Sequence, residues 1–342
     1  VEKYEGDWSY DMPSGAGTKT YQDGSIYAGQ WSAGMRSGAG SLSEADGSVY
    51  KGQFLGDNRN GMGACDYKDG SAYTGMWASD CRCGHGTSKK AGETYTGQWE
   101  FDVKSGEGEC VTDLVGTYSG TFSDDKMSGK GCMVYNDGSK YEGQWFDSVR
   151  EGDGCMTYVK DVASDVKAEG GRLPLTRNHS APDAGPGAAS TNILQYVGQW
   201  HLDVRCGQGK LTFVTNDVEG FREGEWLDDE TNGHGVEELS RPKKERYEGD
   251  FVESVREGRG ILERFFEQNG IPQGIVYDGE FLAGKRAGQG TCLYMENDQF
   301  RMKYSGVWED DKKGSQPDAS GKRGEGWARI YVDGAITDAG YK

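Results

Sequence analysis

Tyr27-Ala28-Gly29-Gln30-Trp31, then Gly38-Ala39-Gly40, then Asp46-Gly47 just ahead of Tyr50, form the unit from which the whole chain is built. An aromatic, a glycine and a second aromatic recur twelve times along the 342 residues as Tyr-x-Gly-x-Trp or Tyr-x-Gly-x-Phe. The copies open at Tyr4, Tyr27, Tyr50, Tyr73, Tyr95, Tyr118, Tyr141, Tyr196, Tyr247, Tyr277 and Tyr304, and Arg222 replaces the tyrosine in the copy that closes on Trp226. In eleven copies a Gly-x-Gly begins seven residues after the closing aromatic, from Gly15/Gly17 to Gly288/Gly290. The last pair, Gly324/Gly326, drifts behind a longer segment after Trp308. A fixed period of about 23 residues is the mark of a repeat architecture.

Within a copy, Tyr-x-Gly-x-Trp alternates ring or glycine with variable residues, which is the period of a strand. Gly-x-Gly-x-x-x-Tyr, as in Gly15 to Tyr21, reads as a second strand. Asp23-Gly24, Asp46-Gly47, Asp69-Gly70 and Asp137-Gly138 read as the return turns, because Asp-Gly supplies the positive φ of tight hairpins. Each repeat is therefore expected to be one β-hairpin, and consecutive hairpins an antiparallel meander. Glycine weakens a strand interior unless something needs the space. Gly6, Gly29 and their equivalents share a face with the flanking rings, so a ladder of aromatic rings over glycine backbone is expected in place of a globular core. Roughly 24 strands at about 4.8 Å each predict a quasi-one-dimensional rod or curved trough on the order of 115 Å long.

The motif run Tyr27-Ala-Gly-Gln-Trp31, Gly38-Ala-Gly40 and Asp46-Gly47 before Tyr50 resembles the MORN repeat (membrane occupation and recognition nexus). The resemblance covers nearly the whole chain except about 161–193 and 310–322. It implies an all-β, elongated, single-layer antiparallel meander of about twelve hairpin repeats, with no catalytic activity of its own. Such arrays occur in radial spoke and other ciliary proteins, apicomplexan cytoskeletal scaffolds and junctophilins, and as accessory parts of some kinases and methyltransferases. Spacing divides the chain into seven regular repeats over 1–160, a Gly/Pro/Ala-rich insertion at 161–193 read as a flexible loop, and five irregular repeats over 194–342. The latter are expected to continue the same sheet, with long returns such as Phe265 to Ile275 and an exposed loop at Glu309–Pro317.

Composition narrows the chemistry. The 56 glycines are far above the usual share of about 7%, yet no Gly-X-Y register is present, so collagen is excluded. No apolar run approaches the ~20 residues of a membrane helix. The chain opens at Val1 inside a strand, so a missing targeting segment carries no weight. Cys132 and Cys155 hold the same slot in consecutive repeats, about 10 Å apart and too far for a disulfide, so free thiols in a reducing compartment are expected. Cys81, Cys83 and His85 form the nearest approach to a zinc set but lack a fourth ligand, and no metal or other cofactor is expected. His85, His179, His201 and His234 have no nucleophile or carboxylate at telling spacing. Gly-x-Gly in hairpin phase is not a dinucleotide loop, which needs a strand-to-helix junction. No catalytic residue is assigned.

Function then rests on the x positions of Tyr-x-Gly-x-Trp, which point away from the rings. Thr74, Met76, Thr96 and Gln98 make a neutral strip, continued by Ser119 and Thr121. Glu223, Glu225, Glu248, Asp250, Asp278 and Glu280 make an acidic stripe, in which neighbouring like charges cost stability that a basic partner would relieve. The net charge of −18, with no Lys/Arg cluster beyond Arg241, Lys243, Lys244 and Arg246, argues against nucleic acid and against direct binding to anionic membranes. The expectation is a structural scaffold binding other proteins of a ciliary axoneme, radial-spoke-like, or of another cytoskeletal complex in the cytoplasm. End-to-end or homo-oligomeric association is expected at the strand edges Val1–Trp8 and Gly326–Asp333. A membrane-associated tether and a regulatory segment of a larger enzyme are the alternatives.

Overall fold

The computed structural model describes residues 2–159, 191–215, 218–240, 244–268, 270–297, 299–313, 328–332 and 335–339. Residues 161–190 of the insertion and the Gly324/Gly326 pair lie outside them. The described residues form strands and turns without a helix, grouped in two compact units, Val1–Val149 and Arg150–Lys342. In the first unit each strand from Lys3–Ser9 to Lys140–Phe146 pairs antiparallel with the next in sequence, an open meander. In the second unit the same order runs from Val149–Thr157 to Gln299–Glu309, after which Gln299–Glu309 pairs with both Lys312–Lys313 and Ala328–Val332.

The register explains the glycines. Gly29 lies opposite Gly40 in its hairpin, and Gly40 lies opposite Gly52 of the next. The Tyr27 ring folds across the Gly29/Gly40 pair and its hydroxyl donates to the Gln30 carbonyl at 2.9 Å. The same bond recurs from Tyr50, Tyr73, Tyr95, Tyr118, Tyr141, Tyr196, Tyr247 and Tyr277 to the carbonyl three residues on. A Cβ on Gly40 would lie 2.4 Å from that ring, so only glycine fits. The first glycine of each Gly-x-Gly does something else: Gly38, at φ 69°, sits in a bulge that shifts register between Gly29 and Trp31.

Rings then meet edge to face. Tyr27 contacts Trp31 of its own repeat at 5.1 Å and Phe54 of the next at 5.0 Å between centroids, and the alternation continues along the chain with a break at Arg222. Such pairs contribute about 0.5–1.5 kcal/mol each beyond area burial. The indole N–H of Trp31 donates to the Gly17 carbonyl of the preceding hairpin, and Trp77, Trp99, Trp145, Trp226 and Trp308 repeat this bond. The expected ladder is thus the core of the protein. Burial holds the Tyr27, Tyr50, Tyr73, Tyr95 and Tyr277 phenols up at about 12, so the ladder stays neutral.

The turns differ from the sequence expectation. The two-residue hairpin turns with positive φ at both positions are Ser79-Asp80, Phe101-Asp102, Asp124-Asp125 and their equivalents, beginning two residues after the closing aromatic. Asp23-Gly24 is instead part of a three-residue loop: only Gly24 has positive φ, Tyr21 N–H donates to Ser25 O, and the Asp23 carboxylate caps Ser25 N–H. The reason is that Asp-Gly here closes a type I turn with a glycine bulge.

Three further expectations are corrected. Thr191, Asn192 and Ile193 belong to a strand, opposite Thr215, Val214 and Phe213. The return from Phe265 to Ile275 is no loop but the far ends of two long strands, Val255–Gln268 and Ile271–Leu282, paired throughout. Of the loop at Glu309–Pro317, the first part is a hairpin turn at Asp310-Asp311 leading into Lys312–Lys313, and the rest lies outside the described residues.

At six of the hairpin turns a clasp joins the turn to the repeat before it. Arg59 N–H and Nε both donate to Asp80 Oδ1, Arg59 Nη2 donates to Asp80 O, and Asp80 N–H donates back to Arg59 O. The guanidinium lies 4.2 Å over the Trp77 ring, closing the ladder against solvent. Arg36–Asp57, Arg82–Asp102, Arg150–Asp203, Arg205–Asp229 and Arg286–Asp311 repeat the arrangement. Burial raises the Asp102 carboxyl, but the bonds and charge of Arg82 outweigh it and hold the group below its usual range. Asp80→Asn keeps the turn and removes the charge, and is expected to cost about 1 kcal/mol locally. Hydrogen exchange at the Arg59 amide should then rise about 5-fold, and an unchanged rate would deny the clasp any energetic role.

Candidate interaction surface

With one face closed by rings and arginines, the other is the surface left to bind. Tyr-x-Gly-x-Trp alternation places its x residues there, and the pairings show which ones meet. In the first unit Thr74 lies opposite Ala64 and Thr87, and Met76 opposite Met62. Thr96 meets Thr87 with their hydroxyls 3.0 Å apart, and Gln98 lies opposite His85. These pairings bring the four residues of the neutral strip onto neighbouring strands. Ser119 and Thr121 donate to Glu109 and Glu107, so farther on it gives way to paired acids.

In the second unit the six acidic positions share one face, but in two rows. Glu223, Glu248 and Asp278 are linked through Val236 and Ile261 on the intervening strands. Asp250, opposite His234 on one side and Glu257 on the other, and Glu280, opposite Arg259, lie in the second row, and Glu225, opposite Gln208, continues it. The single line is therefore corrected: of these six, successive carboxylates of a row stand two strands, or about 9.6 Å, apart. Lys210 pairs with Glu223 at 2.9 Å, Arg246 with Glu248 at 2.5 Å, and Arg259 lies 3.9 Å from Asp278. Glu225 and Glu280 pair with no cation among the described residues; their side chains lie over the bulge glycines Gly233 and Gly288. Leu227, Val252 and Leu282 are more than half exposed on the same face, two residues beyond Glu225, Asp250 and Glu280.

The MORN repeat model matches the chain at residues 4–26, 27–49, 50–72, 95–112, 118–140, 141–161, 196–218, 223–240, 247–264 and 277–299, together more than half of it. This chain is a MORN-repeat protein. No curated protein matches it. The copies at Tyr73 and Tyr304 fall outside those matches yet carry the same tyrosine-to-carbonyl bond and ring contacts as the MORN repeats within them. MORN repeats of this all-β kind are typical of non-enzymatic scaffolds or membrane-associated proteins. Cys81 and Cys83 lie on one strand opposite Ala78 and Met76, with the Cys81 thiol pushed up by desolvation and by Asp102. No group of three His, Cys, Asp or Glu residues able to hold a metal assembles among the described residues. All eight cysteines are free thiols.

The residues that sequence reasoning passed over are the clasps and one ionic cluster. Arginine recurs five residues, and aspartate three residues, after the closing aromatic, a periodic signal present in the MORN array itself. At the ninth repeat Arg222, in the tyrosine slot, pairs with Glu237, which also pairs with Arg256; Arg256 and Arg264 share Glu245.

Proposed function

We propose that this chain is a non-enzymatic scaffold that holds other proteins along the outer face of its MORN sheet. The observation that carries the reading is that face in the second unit, where six carboxylates and exposed Leu227, Val252 and Leu282 stand uncovered beside a sealed ring face. Partners with basic surfaces complement it. By likeness to MORN arrays elsewhere, the setting is a ciliary axoneme, radial-spoke-like, or another cytoskeletal complex. Cross-linking mass spectrometry on the tagged chain, recovered from native extract, tests this. Cross-links from axonemal or cytoskeletal proteins to the strands around Glu248 and Asp278 are expected. Recovery with membrane proteins, together with sedimentation on phosphatidylserine vesicles, would replace the scaffold by a tether. Glu248→Lys with Asp250→Lys is expected to weaken a basic partner about 10-fold or more while leaving the sheet folded, since both side chains are about half exposed. Unchanged affinity would remove the acidic rows from the argument.

A further inference from the structure

The outer face of the second unit carries a chemical alternation with a definite period. Along directly paired residues of five successive strands the order is Glu223, Val236, Glu248, Ile261, Asp278. Acid and aliphatic side chains therefore alternate every strand step of about 4.8 Å. Ile261 is 41% exposed and Glu223 and Asp278 are largely exposed, so the alternation faces solvent. Beside it run the second acidic row and then Leu227, Val252 and Leu282, which makes the face amphipathic rather than merely charged.

Few backbone shapes can follow that order. Seven residues of α-helix rise about 10.5 Å, against about 9.6 Å for two strand steps. A helix inclined by about 24° to the row projects one length onto the other. Its residues three or four positions on then fall opposite Val236 and Ile261. An extended strand repeats a face every ~6.8 Å and loses phase at once. A polyproline helix, at about 9.3 Å per turn, follows the acids but offers no side chain to the aliphatic residues between them.

We propose that this face seats a basic amphipathic α-helix of a partner protein, laid across the strands. Its Lys or Arg residues recur every seventh position against Glu223, Glu248 and Asp278, and its aliphatic residues rest on Val236 and Ile261. The proposal rests on the scaffold reading and adds to it the shape and phase of the partner. Glu225, Asp250 and Glu280 receive cations on one flank of the helix, and Leu227, Val252 and Leu282 cover the apolar stems of those side chains.

The test titrates the full chain with a fluorescein-labelled synthetic peptide of three heptads, Lys first and Leu fourth in each, the remainder Ala and Gln. A peptide of the same composition in shuffled order is the comparison. Anisotropy reads affinity, and circular dichroism reads helix, whose gain belongs to the peptide because the described chain is built of strands. The ordered peptide is expected to bind about 10-fold or more tighter than the shuffled one and to gain helix. Val236→Ser with Ile261→Ser should abolish that preference. Should this variant lower the thermal midpoint, Glu248→Gln with Asp278→Asn on the same exposed row serves the same comparison. Equal binding of both peptides, binding without helix gain, or binding of neither overturns the helix. Cross-links of native partners to this face would leave the scaffold reading standing in each case.

Discussion

Gly108→Ala is expected to destabilise the first unit by about 3 kcal/mol or more, near the upper end of overpacking penalties. The new Cβ would lie 2.5 Å from the Tyr95 ring, and the same ring is bonded to the Gln98 carbonyl and packed at 5.2 Å on Trp99. It cannot retreat, because Tyr95 also meets Phe122 at 5.0 Å on its other side and is wholly buried. The expected signature is an earlier denaturant midpoint with loss of near-ultraviolet aromatic dichroism. Gly47→Ala provides the contrast: φ there is 100°, but nothing lies within 4 Å of a Cβ, so only a backbone penalty of about 1–2 kcal/mol applies. In a Tyr95→Ala background, Gly108→Ala should cost far less than it does alone. Equal costs in both backgrounds would show that the ring is not what forbids a side chain at 108.

The ladder was legible in the sequence because ring and glycine share a phase and the physics needs both. Tyr95, Gly97 and Trp99 can be placed on one face by counting, and glycine there makes sense only beneath a ring. The clasp was equally periodic but chemically quiet: Arg59 and Asp80 are 21 residues apart, and charged residues near a turn read as solvated. Only the cross-repeat register brings them together. The Asp-Gly turns misled because the tight turns lie at Ser79-Asp80 and its equivalents, where aspartate tolerates positive φ without a glycine to announce it. Of the candidate surface, the face of each acidic residue followed from alternation. The spacing of the rows did not, since it depends on which strands lie between Glu223 and Glu248 and on Val236 filling the gap.

Glu237→Ala is expected to cost the second unit about 3–5 kcal/mol, the penalty for leaving buried charge unpaired. Glu237 accepts from Arg222 and Arg256, and its side chain is only 8% exposed. The cluster exists because the ninth repeat breaks the pattern twice. Arg222 stands where tyrosine covers the glycine pair, opposite Glu237 where other repeats place Leu42, Met133 or Leu262. Thr231, fully buried with its hydroxyl unpartnered, stands where the clasp arginine belongs. Arg256 faces Gly284 instead of a clasp aspartate, and so turns to Glu237 and Glu245.

Burial raises the Glu237 carboxyl, but Arg222 and Arg256 prevail and hold it below its unfolded range. A depressed carboxyl contributes stability above the unfolded value of about 4.3 and loses it as pH falls toward the folded value. Stability of the native chain should therefore decline below about pH 4.5 more steeply than that of Glu237→Ala, when both are followed by urea denaturation. Arg222→Tyr with Glu237→Leu restores the repeat pattern, supplying a ring beside Phe251 and leaving Arg256 paired with Glu245. That double variant is expected to be no less stable than the native chain, and up to about 2 kcal/mol more, although Glu237→Leu alone is strongly destabilised. If the double variant were as unstable as the single one, the ionic cluster would be irreplaceable at this repeat rather than a substitute for the missing rung of the ladder.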